Sequence, residues 1–393
     1  MIKYLALASP ISDENALNPI LRGFEEKLGL KELKIVKDED EARAESEGNH
    51  VLAFVATGGT ERLIVSVRET SASSAFVYHD SYNSLPALLE ASAYVGLNSF
   101  SEDDEEGIKA YLKAVQVSEE LRSEKLLFIG EPSPWLVYSG DKKSAEALFG
   151  KAETVDLGVL ESYAVKESPD GYEEVMRRAE ALGPSEDDFK TSLKIEKAIR
   201  RILVEKKARV FTIRCFDLIS SLHGTACLAL SRLNDEGYVA ACEGDVNASA
   251  TMFVLSRISG LPTFMGNVTK VLGNRILIAH CTSPTKILGS FKYMSHFESG
   301  LGVGIAGTFE EGVNVTFARL DLKKRVLRAG VGKVVKQPFR EDICRTQVLV
   351  ESEGNPESIV KSSIGNHYAL TLGNHLRTLE QLAKVLKFSF EKA

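Results

Sequence analysis

The sequence contains no run of about 18 apolar residues of the kind that spans a bilayer. Its opening stretch, IKYLALAS (2–9), reads as a strand and carries neither a basic leader nor a cleavage site. No membrane is therefore expected as a partner, and the expected location is cytoplasmic. Cysteine is sparse: Cys215, Cys227, Cys242, Cys281 and Cys344 are an odd set without C-x-x-C spacing. A disulfide scaffold or zinc ribbon is excluded on that pattern, and the five read as small core residues. A basic stripe is also missing, since the net charge of -7 comes from interspersed acids and bases. That argues against nucleic acid and leaves a small molecule as the expected partner. Glutamine is scarce while Glu, Lys and Arg abound, a balance that points to a thermophile. Repeats and low-complexity tracts are absent too.

The 393 residues suffice for two or three domains at roughly 150 residues each. Strand and helix patterns alternate through the first half, which predicts α/β layers with mostly parallel sheets. IKYLALAS, LKIVK, VLAFVAT and SAFVYHD are each followed by helical periodicity. Gly58-Gly59-Thr60 joins one such strand to its helix, either as a plain tight turn or as one whose backbone amides meet an anion or sugar hydroxyl. A fresh strand, KLLFIG, begins at Lys125, and the pattern restarts through ARVFTIRCFDLI to YVAACEGD. Beyond Pro262 the texture changes to short β runs with turn residues, closed by the helix RTLEQLAKVLKFSF. The expected fold class is two Rossmann-like α/β domains with mostly parallel sheets followed by a β-rich C-terminal domain. The expected boundaries are 1–123, 124–265 carrying Glu243, and 266–393 carrying His367.

Within AACEGDVN (240–247), two carboxylates stand directly behind an apolar run. YVAAC reads as a buried strand, NASATMFVLSRIS as a helix and LPTFMGN as a second strand, so the segment is expected to be a parallel βαβ unit. That would place Glu243 and Asn267 together at the carboxyl ends of the strands, where open α/β sheets bind ligands. Asp245 suits a helix cap, whose carboxylate accepts free backbone N–H groups. Glu243 needs a cation, a metal or water, because burying its charge unpaired costs several kcal/mol, about the scale of a lost ion pair.

Among the seven histidines, His367 lies in IGNHYALTLGNH between two glycines and can face a cleft. His280 and His296 are the other candidates, and Glu298 shares the His296 side of an extended strand. His50, His79, His223 and His375 read as loop or helix-entry residues with no ligand role. Gly302-x-Gly304-x-x-Gly307 matches a dinucleotide fingerprint, but a β-rich turn follows where a helix would be needed. A Cys/His dyad at His280-Cys281 is unsupported, since neighbours on a strand point to opposite faces. Trp135, the one tryptophan, sits beside prolines in GEPSPWL, where it either stacks on a sugar face or anchors its loop.

The spacing of ACEGD, a helix, TFMGNVTK and, far downstream, GNHYALTLGNHLRTLEQLAKVL resembles the L-fucose isomerase and L-arabinose isomerase superfamily, most closely its L-fucose isomerase-like branch. The stretch from HCTSP to SHFESGLGVGIAGTFEEGVNVTFARL fits that branch as well, so the resemblance covers about residues 209–393. It implies an aldose–ketose isomerase that binds a sugar, uses a divalent metal, most often Mn2+, and assembles as a homo-trimer or hexamer. In that assembly a neighbouring subunit would contribute residues near HDSYNSL. On this resemblance Glu243 and His367 are metal ligands and Glu243 is also one of two acid/base carboxylates; His296 and Asn366, with Trp135, are the candidates for substrate contact. The second carboxylate position holds Asn267. An amide oxygen binds a hard cation but does not accept a proton near neutral pH.

Isomerisation needs one group to take a proton from C2 and another to deliver it to C1. With Asn267 in the second place, Asp245 or Glu298 must supply the missing base. Two alternatives remain open from the sequence: a sugar-binding protein of the same fold without isomerase activity, and a related epimerase or lyase acting on a modified sugar.

Overall fold

The structure is a computed structural model that describes residues 2–30 and 32–393. The chain divides into two compact units, one of residues 1–119 with 377–387 and one of residues 120–376 with 388–393. The fold is mixed α/β, as its strand and helix periodicities predict, with two parallel sheets, a seven-stranded β-rich sheet and a small three-stranded sheet.

The first unit alternates strand and helix: β1 (Ile2–Leu7), α1 (Glu14–Leu28), β2 (Lys34–Val36), α2 (Glu39–Ser46), β3 (His50–Val55), α3 (Glu61–Thr70), β4 (Ser73–Tyr78), α4 (Ser84–Tyr94), β5 (Ser99–Ser101) and α5 (Glu105–Ser123). All four strand pairings are parallel, in the order β2-β1-β3-β4-β5. Parallel strands flanked by helices are buried on both faces, which is why every residue of β3 is buried and the strand is apolar throughout after His50. Asp13 and Asp38 cap α1 and α2 through their carboxylates, satisfying amides that the helix itself leaves free.

The second unit opens with another α/β layer: β6 (Lys125–Ile129), α6 (Lys142–Phe149), β7 (Lys151–Val155), α7 (Leu157–Ala164), α8 (Tyr172–Met176), β8 (Ala181–Leu182), α9 (Glu186–Lys206), β9 (Val210–Ile213), α10 (Asp217–Leu222), α11 (Cys227–Asp235), β10 (Val239–Cys242) and α12 (Val246–Ser259). Its parallel sheet has the order β10-β9-β6-β7. Ten successive residues of α12, Val246 to Leu255, are buried, so this helix is covered on every side and sits inside the unit, with Asn247, Ser249 and Thr251 among the buried positions.

The remaining elements are β11 (Phe264–Leu272), β12 (Arg275–His280), β13 (Ser290–Met294), β14 (Gly304–Thr308), β15 (Asn314–Asp321), β16 (Val326–Val335), β17 (Thr346–Ser352), α13 (Glu357–Lys361), β18 (His367–Leu372), α14 (Leu376–Leu386) and β19 (Ser389–Lys392). Strands run β15-β18-β11-β12-β17-β16, and β16 pairs back onto β15, so six antiparallel strands close into a ring. β19 adds in parallel to β16. Closure removes the edges that an open sheet would expose. Phe264, Ile278, Phe317, Val348 and Leu370 are among the side chains of its core.

One expectation is corrected here. β11 does not pair in parallel with β10 to complete a βαβ unit; it runs antiparallel to β12 and β18 in the ring. A short apolar strand after a helix fits either sheet, and its ladder partners lie far downstream in the sequence. The edge of β10 instead meets β11 through a side chain, with the Cys242 amide 3.4 Å from the Met265 sulfur.

Candidate active site

β10 ends at Cys242, and the chain then makes two consecutive left-handed residues, Glu243 at φ +64° and Gly244 at φ +74°. Gly244 is required twice over, by its φ and because a Cβ there would lie 2.5 Å from Pro132 Cα. Glu243 has no such freedom. A non-glycine residue held in this region costs about 1–3 kcal/mol and is a recurrent mark of functional sites. Its carbonyl accepts the Ser133 amide at 2.9 Å, which holds the turn in place. Asp245 follows as the cap of α12, accepting the Ala248 amide at 2.9 Å.

The turn aims Glu243 at two histidines from the ring. Its Oε1 lies 3.5 Å from His280 Nε2 and 3.4 Å from His367 Nε2, while Oε2 accepts the Trp135 indole N–H at 2.9 Å. His280 closes β12 and His367 opens β18, with β11 between them. Asn267 on β11 is opposite both Ala279 and His367 in register. Its amide oxygen accepts the Asn366 side-chain N–H at 2.7 Å.

Each imidazole is oriented from behind. His280 Nδ1 contacts Thr282 Oγ1 at 3.0 Å, and His367 Nδ1 stands 2.9 Å from Asp245 Oδ2. Asp245 also meets the guanidinium of Arg319 at 3.3 Å. Arg319, on β15, is almost wholly buried and donates to the carbonyls of Ile364 and His367 at 2.6 Å each. Gly365 makes room for it: its φ is +119°, and a Cβ there would come within 2.3 Å of the guanidinium. The glycine in Gly365-Asn366-His367 is thus a consequence of Arg319.

Electrostatics follow from this packing. Burial pushes the Glu243 carboxyl up, but the nearby imidazoles of His280 and His367 outweigh it and hold the group well below the usual carboxylate range. Burial acts to lower His367, and is outweighed by Asp245 and Glu243, which push it up to about 9. Asp245 is raised by burial and lowered by a larger margin, first by Arg319 and then by His367. His296 is lowered to about 4 by burial and by the neighbouring His280. The Glu298 carboxyl moves the opposite way from Glu243, raised by burial and by the Glu243 charge.

Glu243, His280 and His367 offer one ligand atom each, all within 4.8 Å of one another, so they can hold a metal ion. The fit is supported by an orphaned donor or acceptor: His367 Nε2 is buried without a hydrogen-bond partner among the described residues. One carboxylate, two imidazoles and a neighbouring amide oxygen form a mixed oxygen and nitrogen set suited to a first-row divalent cation. His79, Asp80 and Glu102 form a second such group. There, however, both ring nitrogens of His79 are engaged, by Ala56 O at 3.0 Å and Ser81 Oγ at 2.8 Å.

In front of the triad lies a cleft of about 370 Å³ lined by Trp135, Phe216, Glu243, Asn267, Glu298 and Asn366. Trp135 packs edge-on against Phe216, which packs edge-on against His296, so the three rings form one wall. The structure therefore gathers Glu243, Asn267, His367, Glu298, His296, Asn366 and Trp135 around one site. His367 and His296 lie beneath the cleft lining, and Asp245 stands farther back, behind His367 and fully buried. His280 and Arg319 complete the arrangement. His280 was visible in sequence only as one of three candidate histidines. The signal for Arg319 was a lone cation in the apolar run VNVTFARL.

Residues 137–260 match the model of the L-arabinose isomerase central domain. A sulfoquinovose isomerase of Alkalicoccus urumqiensis is 26% identical over 215 residues, covering 51% of this chain and 48% of that protein. One of Clostridium sp. (strain MSTE9) is 24% identical over 315 residues, 72% of this chain and 68% of that protein. One of Priestia aryabhattai is 20% identical over 308 residues, 73% and 69%. The chain thus spans about half the length of the first of these relatives and about two thirds of the others. Together the matches support an arabinose/fucose isomerase-type superfamily.

Proposed function

We propose that this chain is an aldose–ketose isomerase that works with one divalent cation, manganese for preference, held by Glu243, His280 and His367 with the Asn267 amide oxygen beside them. The observation that carries the reading is the convergence of one ligand atom each from Glu243, His280 and His367, within 4.8 Å of one another, beside a cleft lined by Glu243, Asn267 and Glu298. When bound, the cation supplies positive charge that offsets the anionic charge developing on the sugar oxygens.

The chain's own residues then divide the remaining work. Glu298 is the proton carrier: burial and the Glu243 charge raise its carboxyl, which brings it closer to the operating pH, where general acid–base catalysis is most effective. It takes the proton from C2, exchanges it in part with solvent and delivers a proton to C1, while the O2 hydroxyl proton passes to O1. Asp245 is a positioning residue, since it fixes which nitrogen of His367 faces the cleft. Trp135 holds the second oxygen of Glu243 and offers a ring face to the substrate. His296, lowered to about 4, stays neutral near pH 7 and serves as a hydrogen-bond partner for a sugar hydroxyl.

The sulfoquinovose isomerases among the relatives make an aldohexose bearing a modified C6 one substrate to test, beside unmodified pentoses and hexoses. The reading also expects a homo-oligomer, trimer or hexamer. The test is turnover of an aldose panel in deuterium oxide with added manganese. Solvent deuterium at C1 or C2 of at least one sugar supports the proposal. Sugar binding without deuterium incorporation anywhere in the panel contradicts it and favours a binding protein of the same fold.

A further inference from the structure

All five cysteines come from separate segments, yet they line one recess of about 40 Å³ at the base of the cleft. Cys215 follows β9, Cys227 begins α11, Cys242 ends β10, Cys281 follows β12 and Cys344 precedes β17. Composition predicts scattered core residues, so their convergence is a product of the fold. Within the recess, Cys215 Sγ lies 2.7 Å from Cys242 Sγ. That is closer than two sulfur atoms in van der Waals contact and approaches the disulfide bond length of about 2.05 Å.

The backbone suits a bond between them. β9 and β10 are neighbouring parallel strands with Cys242 opposite Ile213, two residues before Cys215. Beyond Ile213 the chain folds back, with the Cys215 amide donating to the Ile213 carbonyl at 3.0 Å, which returns the Cys215 side chain toward Cys242. A soft-metal cage fits less well, because among the described residues no thiol joins two further ligand atoms closely enough to chelate. The recess shares Phe216, Glu243, Asn267 and Glu298 with the open cleft, which gives a small oxidant a route to the sulfurs.

We propose that Cys215 and Cys242 form a modifiable dithiol, which a peroxide entering through the cleft closes to a disulfide. The inference does not rest on the isomerase reading. Cys215 is the more open of the two, at 6% against 2% exposure, and reacts first. Its thiolate attacks one oxygen of hydrogen peroxide, the O–O bond breaks, and the departing hydroxide takes up a proton as water. The Cys242 thiol then attacks the resulting sulfenic sulfur, its proton passes to the departing hydroxide, the S–S bond forms, and a second water leaves. Two thiols are oxidised by two electrons, and one peroxide is reduced to two waters. Cys242 immediately precedes Glu243, whose carboxylate holds the Trp135 indole, so the bond reports through the chain's one tryptophan.

The full chain is treated with hydrogen peroxide, quenched with catalase, unfolded in alkylating agent and mapped by mass spectrometry. The expected product is one peptide pair joined through Cys215 and Cys242, with the other three cysteines alkylated. Tryptophan emission should change in step and return on dithiothreitol treatment. Cys215→Ser and Cys215→Ala should give neither the joined peptides nor the reversible emission change. If both fail to fold, the wild-type map alone decides. Recovery of Cys215 and Cys242 as separately alkylated or separately oxidised residues overturns the proposal, as does a bond between any other pair.

Discussion

Asp245 Oδ2 stands 2.9 Å from His367 Nδ1, and both side chains are fully buried. Through this one contact a helix cap of the α/β layer sets the imidazole at the start of a ring strand, and Arg319 neutralises the carboxylate from the other side. The three groups depend on one another, because a buried charge without its partner costs far more than the pair gains.

Asp245→Asn is therefore expected to weaken manganese binding by about 10–100-fold, the usual effect of losing a carboxylate behind a ligating histidine. It should also destabilise the fold by about 3–5 kcal/mol, because Arg319 is left buried without its anion. Isothermal titration with manganese and urea unfolding read the two effects separately. An unchanged manganese affinity would show that Asp245 only caps α12.

Glu298→Gln should lower turnover by about 10²–10⁴-fold while manganese and sugar binding persist, since a proton carrier is lost and no ligand is. Asn267→Asp should add little, because the amide already places an oxygen at that position and Glu298 carries the proton. Steady-state kinetics on the best aldose, beside binding by thermal shift, check both. A large gain in Asn267→Asp would assign proton transfer to the position of Asn267 instead.

The metal-free protein should be most stable near pH 6.5. His367 is raised from 6.5 to about 9, so its contribution is fully present below pH 6.5 and is lost as pH climbs through 9. His296 is lowered from 6.5 to about 4, so the unfolded chain takes up the proton first and stability falls as pH drops from 6.5 toward 4. Urea midpoints from pH 4 to pH 9 should trace both flanks. His367→Gln should remove the alkaline flank and His296→Gln the acidic one.

Gly365→Ala should cost about 3 kcal/mol or more, because it combines a left-handed φ with a Cβ driven into the Arg319 guanidinium. Calorimetry of the variant should show a lowered Tm. A neutral result would mean that Arg319 can withdraw without loss.

Local pattern carried the architecture further than it carried the ladders. The alternation of strands and helices through residue 259 is in the periodicity itself, and so are the short β runs after Pro262. The pairing of β15 with both β16 and β18 is not, because antiparallel partners are chosen by contacts remote in sequence. The same limit applied to the site. Glu243 stood out as a carboxylate directly behind an apolar strand, and His367 through its bracketing glycines. His280 gained its place only when β11 and β18 folded beside β12. Asp245 looked equally suited to capping and to catalysis, and burial separates the two by leaving it no path to the cleft.

The central claim is that Glu243, His280 and His367 hold one cation. Crystals soaked in manganese and measured at the manganese absorption edge test it directly. A single anomalous peak is expected between Glu243 Oε1, His280 Nε2 and His367 Nε2, at about 2.0–2.2 Å from each nitrogen if the ion binds as comparable first-row divalent metals do. A crystal saturated with manganese that shows no peak there, or shows its peak at another group of residues, would contradict the account.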